Sequence, residues 1–423
     1  MDLEAVEMAM RSTVHQTGAE AVTELLRFPP PGDQDRTMPC PCGRVARYEG
    51  MRSRPILTVV GWARIERPYY LCPACKIGQF PADVQLDIQR TDFSPGVRRM
   101  LAAVGGEATF AQGRDQMRLL AGLETTAKAV ERTAESVGVD IEAQQQQEIR
   151  RAKQLSLPTV AGPPIPYLYV QMDGTQVFVV KSETEGRAGR TPGTPARTRE
   201  CKLGAVFTQT AVDDQGRPVR DEHATTYVGA IEGAEAFGLR LYTEAWNRGW
   251  ERATIRVVMG DGSHWIWNIA DQHFPGAIQI VDLYHAREHL WNLARKLYPA
   301  NEAAQKRWLM HKLDWLENGK IEKLAAALRK LADANANPEL AKACDLEAEY
   351  FDSNRDRMRY PDFRRKNLFV GSGVIEAGCK TVIGSRLKQS GMFWTVRGAN
   401  AIIALRCCRI SGKFESYWEE RAA

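Results

Sequence analysis

Apolar and polar positions recur along this chain with two different periods, and the places where the period changes divide it. Residues 1–27 carry apolar side chains at helical spacing until the run Pro29-Pro30-Pro31-Gly32-Asp33 stops the pattern. From 38 to 81 the spacing becomes alternating, in ILTVVGWARI (56–65) and RPYYLC (67–72), which predicts a small β-rich module. Between 93 and 153 Ala, Leu and Val return to helical spacing with no strand signal. Gly122 separates two segments there, and Thr125 or Thr126 is suited to cap the second. That cap would place Lys128, Glu131 and Arg132 on a short helix behind a turn, as in a helix-turn-helix.

A Pro/Gly-rich linker, PTVAGPPIP (158–166), precedes a change of character. The runs 167–180, 201–212 and 224–231 are β-like. A helix is predicted at 234–250, a strand at 254–262, a helix from Trp265 and a strand in AIQIVDLYHA. Strands interleaved with helices describe a mixed α/β layer. The Gly/Pro/Arg-rich loop 183–200 is expected to be mobile unless a ligand orders it. Residues 286–360 are helical and charged, and VGSGVIEAGCK (370–380) turns into a further helix. No internal repeat interrupts this plan.

Composition narrows the class. With 423 residues, 44% hydrophobic and 26% charged, the chain is neither disordered nor fibrous and is long enough for several domains. No apolar run reaches the ~18 residues of a membrane helix, and the N-terminus lacks a secretory pattern. A cytoplasmic, nucleoid-associated protein with no membrane partner is expected. The net charge of +5 conceals two basic ends around an acidic middle: residues 36–76 carry +6 and residues 364–423 carry +7. Such ends suit a polyanion.

Nine cysteines in a cytoplasmic chain are not a disulfide framework. Four form two close pairs, Cys40-Pro-Cys42 and Cys72-Pro-Ala-Cys75, which predicts a Cys₄ zinc site across a hairpin. The first pair is C-x-C, a tighter bite than the usual knuckle. The other five are expected to be buried small hydrophobes. Arg44, Arg47, Arg52, Arg54, Arg64 and Arg67 would line the zinc module as a positive surface.

Two aspartates stand where a charge is costly. Asp173 lies inside an apolar strand-like run and Asp261 ends another, each followed by Gly, which would leave room for a ligand. Glu376 lies about one turn into the helix opened by Gly371-Ser372-Gly373. Two strand acids and a helix acid are what two Mg²⁺ (or Mn²⁺) ions need for phosphodiester chemistry. No Gly-rich loop ending in Gly-Lys-Ser/Thr is present, so nucleotide hydrolysis is not expected. His285 and His289 are spaced like a zinc pair, but no glutamate follows His285 as a zinc protease requires. A glycosidase carboxylate pair would explain neither the cysteines nor the basic ends.

Taken in order, MDGT (172–175), GDGSHWIWN (260–268), DLYHAREHLW (282–291) and GSGVIEAGCKTVIGSRLKQSGMFW (371–394) resemble the ISKra-type bacterial insertion-sequence transposases. These are DDE recombinases, distantly similar to the Mutator-like group. The likeness runs over nearly the whole chain. It implies an α/β, RNase H-like core with Asp173, Asp261 and Glu376 as the metal-holding triad. Asp282 and His285 match the family's Asp-x-x-His and would orient the acids. The implied domains are an N-terminal helical segment (1–35), a zinc-ribbon-like module (36–90), a helical DNA-binding region (91–157), the core (165–285), a helical insertion (286–368) and a final helix with a basic C-terminus (369–423). Implied partners are transposon terminal inverted repeats and target DNA, with a homodimer or larger assembly when ends are synapsed. Arg386, Lys388, Trp394 and Arg397 would grip DNA, with Trp394 stacking on an unpaired base. His264 would touch phosphate or pack. The alternative is a catalytically silent, DNA-binding regulator derived from a transposase.

Overall fold

The computed structural model describes residues 2–189 and 193–422, and divides into two units, residues 1–137 and 138–423. Residues 190–192 of the Gly/Pro/Arg-rich loop lie outside the described residues. That loop's described flanks pair with each other, Ala196 N–H donating to Arg187 C=O at 3.0 Å.

The first unit opens with α1 (Leu3–Leu25), capped by the Asp2 side chain on Ala5 N–H. A four-stranded antiparallel sheet follows in the order β1-β2-β3-β4, formed by β1 (Thr37–Pro39), β2 (Val45–Thr58), β3 (Gly61–Leu71) and β4 (Gly78–Gln79). Alternation along β2 and β3 sends Ile56 and Ile65 inward against Ile88, while Arg47, Arg52 and Arg64 face out; Arg67, expected on the positive surface, is instead buried in an ion pair with Asp83. Next come α2 (Pro81–Gln85), α3 (Pro95–Glu107), α4 (Phe110–Gln116) and a π-helical turn, Met117–Ala121, ended by left-handed Gly122. Val97, Leu101, Met117, Leu123 and Val130 close a small core. Thr126 caps α5, its Oγ accepting from Ala129 N–H at 3.0 Å. The expected short recognition helix is instead the opening of α5 (Ala127–Lys153), which is 27 residues long.

The distal half of α5 belongs to the second unit and packs on α15 (Val396–Ile410). Gly138 makes this crossing possible, because a Cβ there would lie 2.0 Å from Ala401 O. Arg240 locks the same helix to the core through Glu142, Gln145 and Glu232.

A mixed five-stranded sheet forms the centre of this unit, in the order β11-β10-β5-β6-β9. Its strands are β5 (Ile165–Phe178), β6 (Thr198–Gln209), β9 (Thr226–Ala230), β10 (Ala253–Gly260) and β11 (Ile278–Val281). A small hairpin, β7 (Ala211–Val212) with β8 (Pro218–Val219), interrupts the second connection. The first three core strands pair antiparallel, and β10 and β11 add in parallel on the far side of β5. β6 is buried along almost its whole length, as a strand covered on both faces must be. One cover is α6 (Ala234–Asn247), whose Leu241 lies over Gly204; α7 (His264–His273) packs beside α6. On the other face are α15 and α13 (Gly373–Gly378).

Between β11 and α13 the chain is helical, as its charge-rich helical spacing predicts. The helices are α8 (Leu283–Leu297), α9 (Glu302–Glu317), α10 (Ile321–Asp333), α11 (Pro338–Ser353) and α12 (Tyr360–Arg365). Their apolar stripes (Leu290, Leu309, Leu324, Leu328, Phe351) join the sheet's core in one continuous cluster. After α13 a π-helical segment, Cys379–Gly384, leads to α14 (Ser385–Leu387), α15 and α16 (Phe414–Ala422). Among the described residues no helix is long and apolar enough to cross a membrane.

Candidate active site and metal centre

The two cysteine pairs meet at one end of the first unit's sheet. Each occupies a tight turn: Gly43 N–H donates to Cys40 C=O at 2.9 Å, and Lys76 N–H to Cys72 C=O at 2.9 Å. All four Sγ atoms lie within 4.8 Å of one another, with Cys40–Cys75 at 3.5 Å and Cys42–Cys72 at 3.7 Å. Four thiolates at ~2.3 Å from zinc stand ~3.8 Å apart in a tetrahedron, so the observed spacing fits that ion. The cluster can hold zinc. The C-x-C spacing is no obstacle, because positive-φ Gly43 tightens the turn behind it. Within the cluster, Cys72 is shifted down to about 6 by backbone N–H donation from Cys75 and Ala74 against the opposing effect of burial, whereas Cys40, despite backbone N–H donation from Cys42, is pushed up to about 12 by burial and its neighbouring thiols, so Cys72 ionises first. Thiolate is the form a zinc ligand must take.

In the second unit, strand register places the acids. β10 pairs with β5 up to Met259 opposite Gln171, so continuing that register brings Asp261, just past the carboxyl end of β10, level with Asp173, which lies inside β5 opposite Leu203 of β6. β11 pairs Val281 with Gly260, and Asp282 N–H donates to Gly260 C=O at 2.8 Å, which brings Asp282 alongside. Asp173 and Asp261 are half-buried and Asp282 is fully buried. Burial first, and then the Asp261 charge, hold Asp173 above the ordinary carboxylate range, while Gly174 N–H and His285 work against the shift.

Each acid has at least one oxygen held by its surroundings, and Asp173 has both. Asp173 Oδ1 accepts from Gly174 N–H at 2.6 Å and its Oδ2 from the Cys379 thiol at 3.5 Å. Asp261 Oδ1 accepts from Ser263 N–H at 2.8 Å. Glu376 Oε1 accepts from the Ser372 hydroxyl at 3.1 Å. Among the described residues, the four cysteines are the one set of three or more such side chains whose ligand atoms all lie within 4.8 Å, so the three acids do not close that tightly.

Glu376's turn is suspended from the sheet by two buried polar side chains. Asp282 caps α8 through His285 N–H at 2.8 Å, and its other oxygen accepts from Ser372 N–H. Gln171 lies two residues before Asp173, on the same side of β5. Its Oε1 accepts from Ile375 N–H at 3.1 Å and its amide donates to Gly371 C=O at 3.5 Å. The helical region supplies a second clasp. Tyr350 donates to Asp261 C=O at 3.0 Å, Tyr360 donates to Val281 C=O at 3.2 Å, and His289 stacks on Tyr350 at 3.9 Å while contacting Glu347 at 2.7 Å. His285 and His289 therefore do not form a zinc pair. The glycines after the aspartates leave no open space either: a Cβ at Gly262 would come within 2.6 Å of Tyr350, and one at Gly174 within 2.6 Å of Glu200.

The basic residues separate into two kinds. Arg44, Arg47 and Arg52 are exposed on the β module, Arg52 above the Tyr69 ring. Arg54 is committed internally, to Asp83, Asp92 and the Ile88 and Thr91 carbonyls, so it holds the module together. Lys128 is exposed but paired with Glu131, and Arg132 is exposed. Lys388 and Arg397 are exposed, with Lys388 donating to Thr175 at 2.5 Å, two residues beyond Asp173. Arg386 and Trp394 do not form the expected DNA grip: both are buried, Arg386 lying 5.0 Å from the Trp394 ring and Trp394 Nε1 donating to Leu387 C=O. A buried ring cannot stack on a base. His264 is exposed at the start of α7.

Four residues at the site lay outside the sequence expectations: Gln171, Ser372, Tyr350 and Cys379. Gln171 had a signal, an amide inside an otherwise apolar strand run. Cys379 differs from the buried-hydrophobe expectation by donating to Asp173. Nothing local marked Tyr350, whose partner is 89 residues away.

No family model matches the chain, and neither does any curated protein. Among solved structures it is similar to the Drosophila P element transposase strand transfer complex, at 8% sequence identity and a TM-score of 0.27, over 81% of this chain and 84% of that one.

Proposed function

We propose that this chain is a DNA transposase of the ISKra-type insertion-sequence group, with an RNase H-like core formed by the five-stranded sheet. The observation that carries the proposal is the register that brings Asp261, just past the carboxyl end of β10, level with Asp173 inside β5, with the turn before Glu376 hung over the same place by Gln171 and Asp282. A sheet with an antiparallel first half and two added parallel strands supports the core assignment. Asp173, Asp261 and Glu376 would hold two Mg²⁺ or Mn²⁺ ions, and the half-buried, mutually repelling aspartates suit hard divalent cations. Such ions, when bound, stabilise charge on the attacking and leaving oxygens of a phosphodiester.

The chain's own groups supply position. Asp282, Gln171 and Tyr350 fix the acids, exposed Lys388 stands two residues beyond Asp173 through Thr175, and exposed Arg397 would take phosphates with it. Hydrolysis at a transposon end would leave a 3′-hydroxyl and a 5′-phosphate. That hydroxyl would then displace a 3′-oxygen in target DNA, joining the strands. Exposed Arg44, Arg47, Arg52 and Arg132, with Lys128, would bind DNA, and the Cys₄ cluster would hold a structural zinc.

The test is divalent-metal-dependent nicking of DNA carrying a candidate end. Asp173→Asn, Asp261→Asn and Glu376→Gln should each reduce nicking by about 10³-fold or more while DNA binding persists. Undiminished nicking by these variants would sink the assignment. One observation favours a silent DNA-binding regulator instead: Asp173 Oδ2 is occupied by the Cys379 thiol, and the three acids stand apart. End-specific binding by the wild-type chain with no metal-dependent nicking would select that second reading.

A further inference from the structure

Beside the acid-bearing turn, one face of α8 forms an open groove of about 440 Å³, lined by Tyr284, Arg287, Glu288, Trp291 and Arg295. These residues recur at three- and four-residue steps, so they project from the same side of the helix. Tyr284 is 62% exposed, and its ring lies against the Gly371 turn, where a Cβ would come within 2.8 Å of it. The groove therefore begins at the turn that leads to Glu376 and two residues after Asp282. Among the described residues of the second unit, the exposed aromatic rings are Phe178, Tyr284 and Phe393. Phe178, at the end of β5 and three residues beyond the Thr175 that Lys388 contacts, packs edge-on at 6.1 Å against Phe393.

From this arrangement we infer that the α8 groove binds an unpaired nucleotide of a DNA strand, an inference that rests on the transposase reading. Tyr284 and half-buried Trp291 offer aromatic faces to a base, and such stacking tolerates any base. Arg287 lies 5.3 Å from the Tyr284 ring and pairs with Glu317, yet its buried Nε has no acceptor among the described residues. That nitrogen is out of a ligand's reach, so Arg287 supports the Tyr284 ring and leaves phosphate to Arg295. Arg295 donates to Asn292 Oδ1 at 3.1 Å and is otherwise exposed, about 10 Å along the helix from Glu288. The carboxylate repels phosphate, so the base end of the nucleotide lies toward Glu288 and the phosphate toward Arg295.

The experiment measures binding of the full chain to two short duplexes, one blunt and one with a single-stranded tail containing 2-aminopurine. Wild type should bind the tailed duplex more tightly and quench the tail's fluorescence. Tyr284→Ala or Trp291→Ala should weaken tailed binding by roughly 5- to 100-fold and leave blunt binding unchanged. Tyr284→Phe should retain the preference, and Arg295→Gln should weaken tailed binding with a shallower salt dependence. If Trp291→Ala does not fold, exposed Tyr284 and Arg295 carry the test. Equal effects on both duplexes, or none, would overturn the inference. So would occupation by a free nucleoside monophosphate with no preference for the tail. Failure of the wild-type chain to bind DNA at all would instead remove the transposase reading beneath it.

Discussion

Asp173 carries its charge in a half-buried position next to Asp261, and that single residue links the fold's stability to pH. Its proton is held more tightly in the folded chain than in the unfolded one. Stability contributed by the protonated form is complete below the ordinary carboxylate range and is lost as pH rises through the raised value. Asp173→Asn removes that loss. In chelator, the variant should melt roughly 1–3 °C above wild type at pH 7, and the gap should close as pH falls below the ordinary carboxylate range. Thermal unfolding across pH checks this, and a variant less stable than wild type at pH 7 would contradict it. Arg386 is a different case, since its guanidinium is buried against Trp394. Arg386→Ala should lower the denaturation midpoint in urea and leave DNA affinity of the folded fraction unchanged.

Elements bring distant residues under one constraint. The Cys₄ cluster unites both ends of the β2–β3 hairpin, in a module whose own core is a handful of side chains. Zinc there would contribute on the order of 10 kcal/mol to folding of the module. The purified chain should carry one zinc, and Cys42→Ser or Cys75→Ser should release it and expose the β2–β3 amides to hydrogen exchange. Metal-free protein with fully protected amides would refute the structural role. Tyr350 does comparable work from α11, fastening the backbone of Asp261 across left-handed Gly262. Tyr350→Phe should raise the half-saturating Mn²⁺ concentration several-fold, read by Mn²⁺ binding to the free protein, while costing about 1 kcal/mol of stability.

For the molecule as a whole, charge is concentrated at two ends of the chain, and burial decides which of those charges a partner can reach. Binding to DNA should weaken with salt, with a log–log slope of about −0.9 per phosphate contacted. Arg44→Ala, Arg47→Ala and Arg52→Ala should each make that slope shallower. Arg54→Ala should leave it unchanged and lower stability, because its donors are spent within the module. A flat profile for wild type would count against the basic ends as DNA grips.

Local pattern alone was enough for the alternation of the β module, the helices between β11 and α13, the succession of strands and helices along the α/β layer and the pairing of four cysteines. Each depends on short-range periodicity or on residue type. The same pattern could name Asp173, Asp261 and Glu376 one at a time, because a charge in an apolar run stands out. That Asp261 comes level with Asp173 is a matter of strand register, and the support of these acids and of the Glu376 turn comes from Gln171, Asp282 and Tyr350, whose partners lie 89 to 204 residues away. Burial was equally beyond a local reading. Trp394 and Arg386 resemble a basic-aromatic surface in sequence, yet tertiary packing turns them inward, and a short recognition helix becomes the first turns of α5. Periodicity records which side of an element is apolar, whereas only the packed chain determines what that side meets.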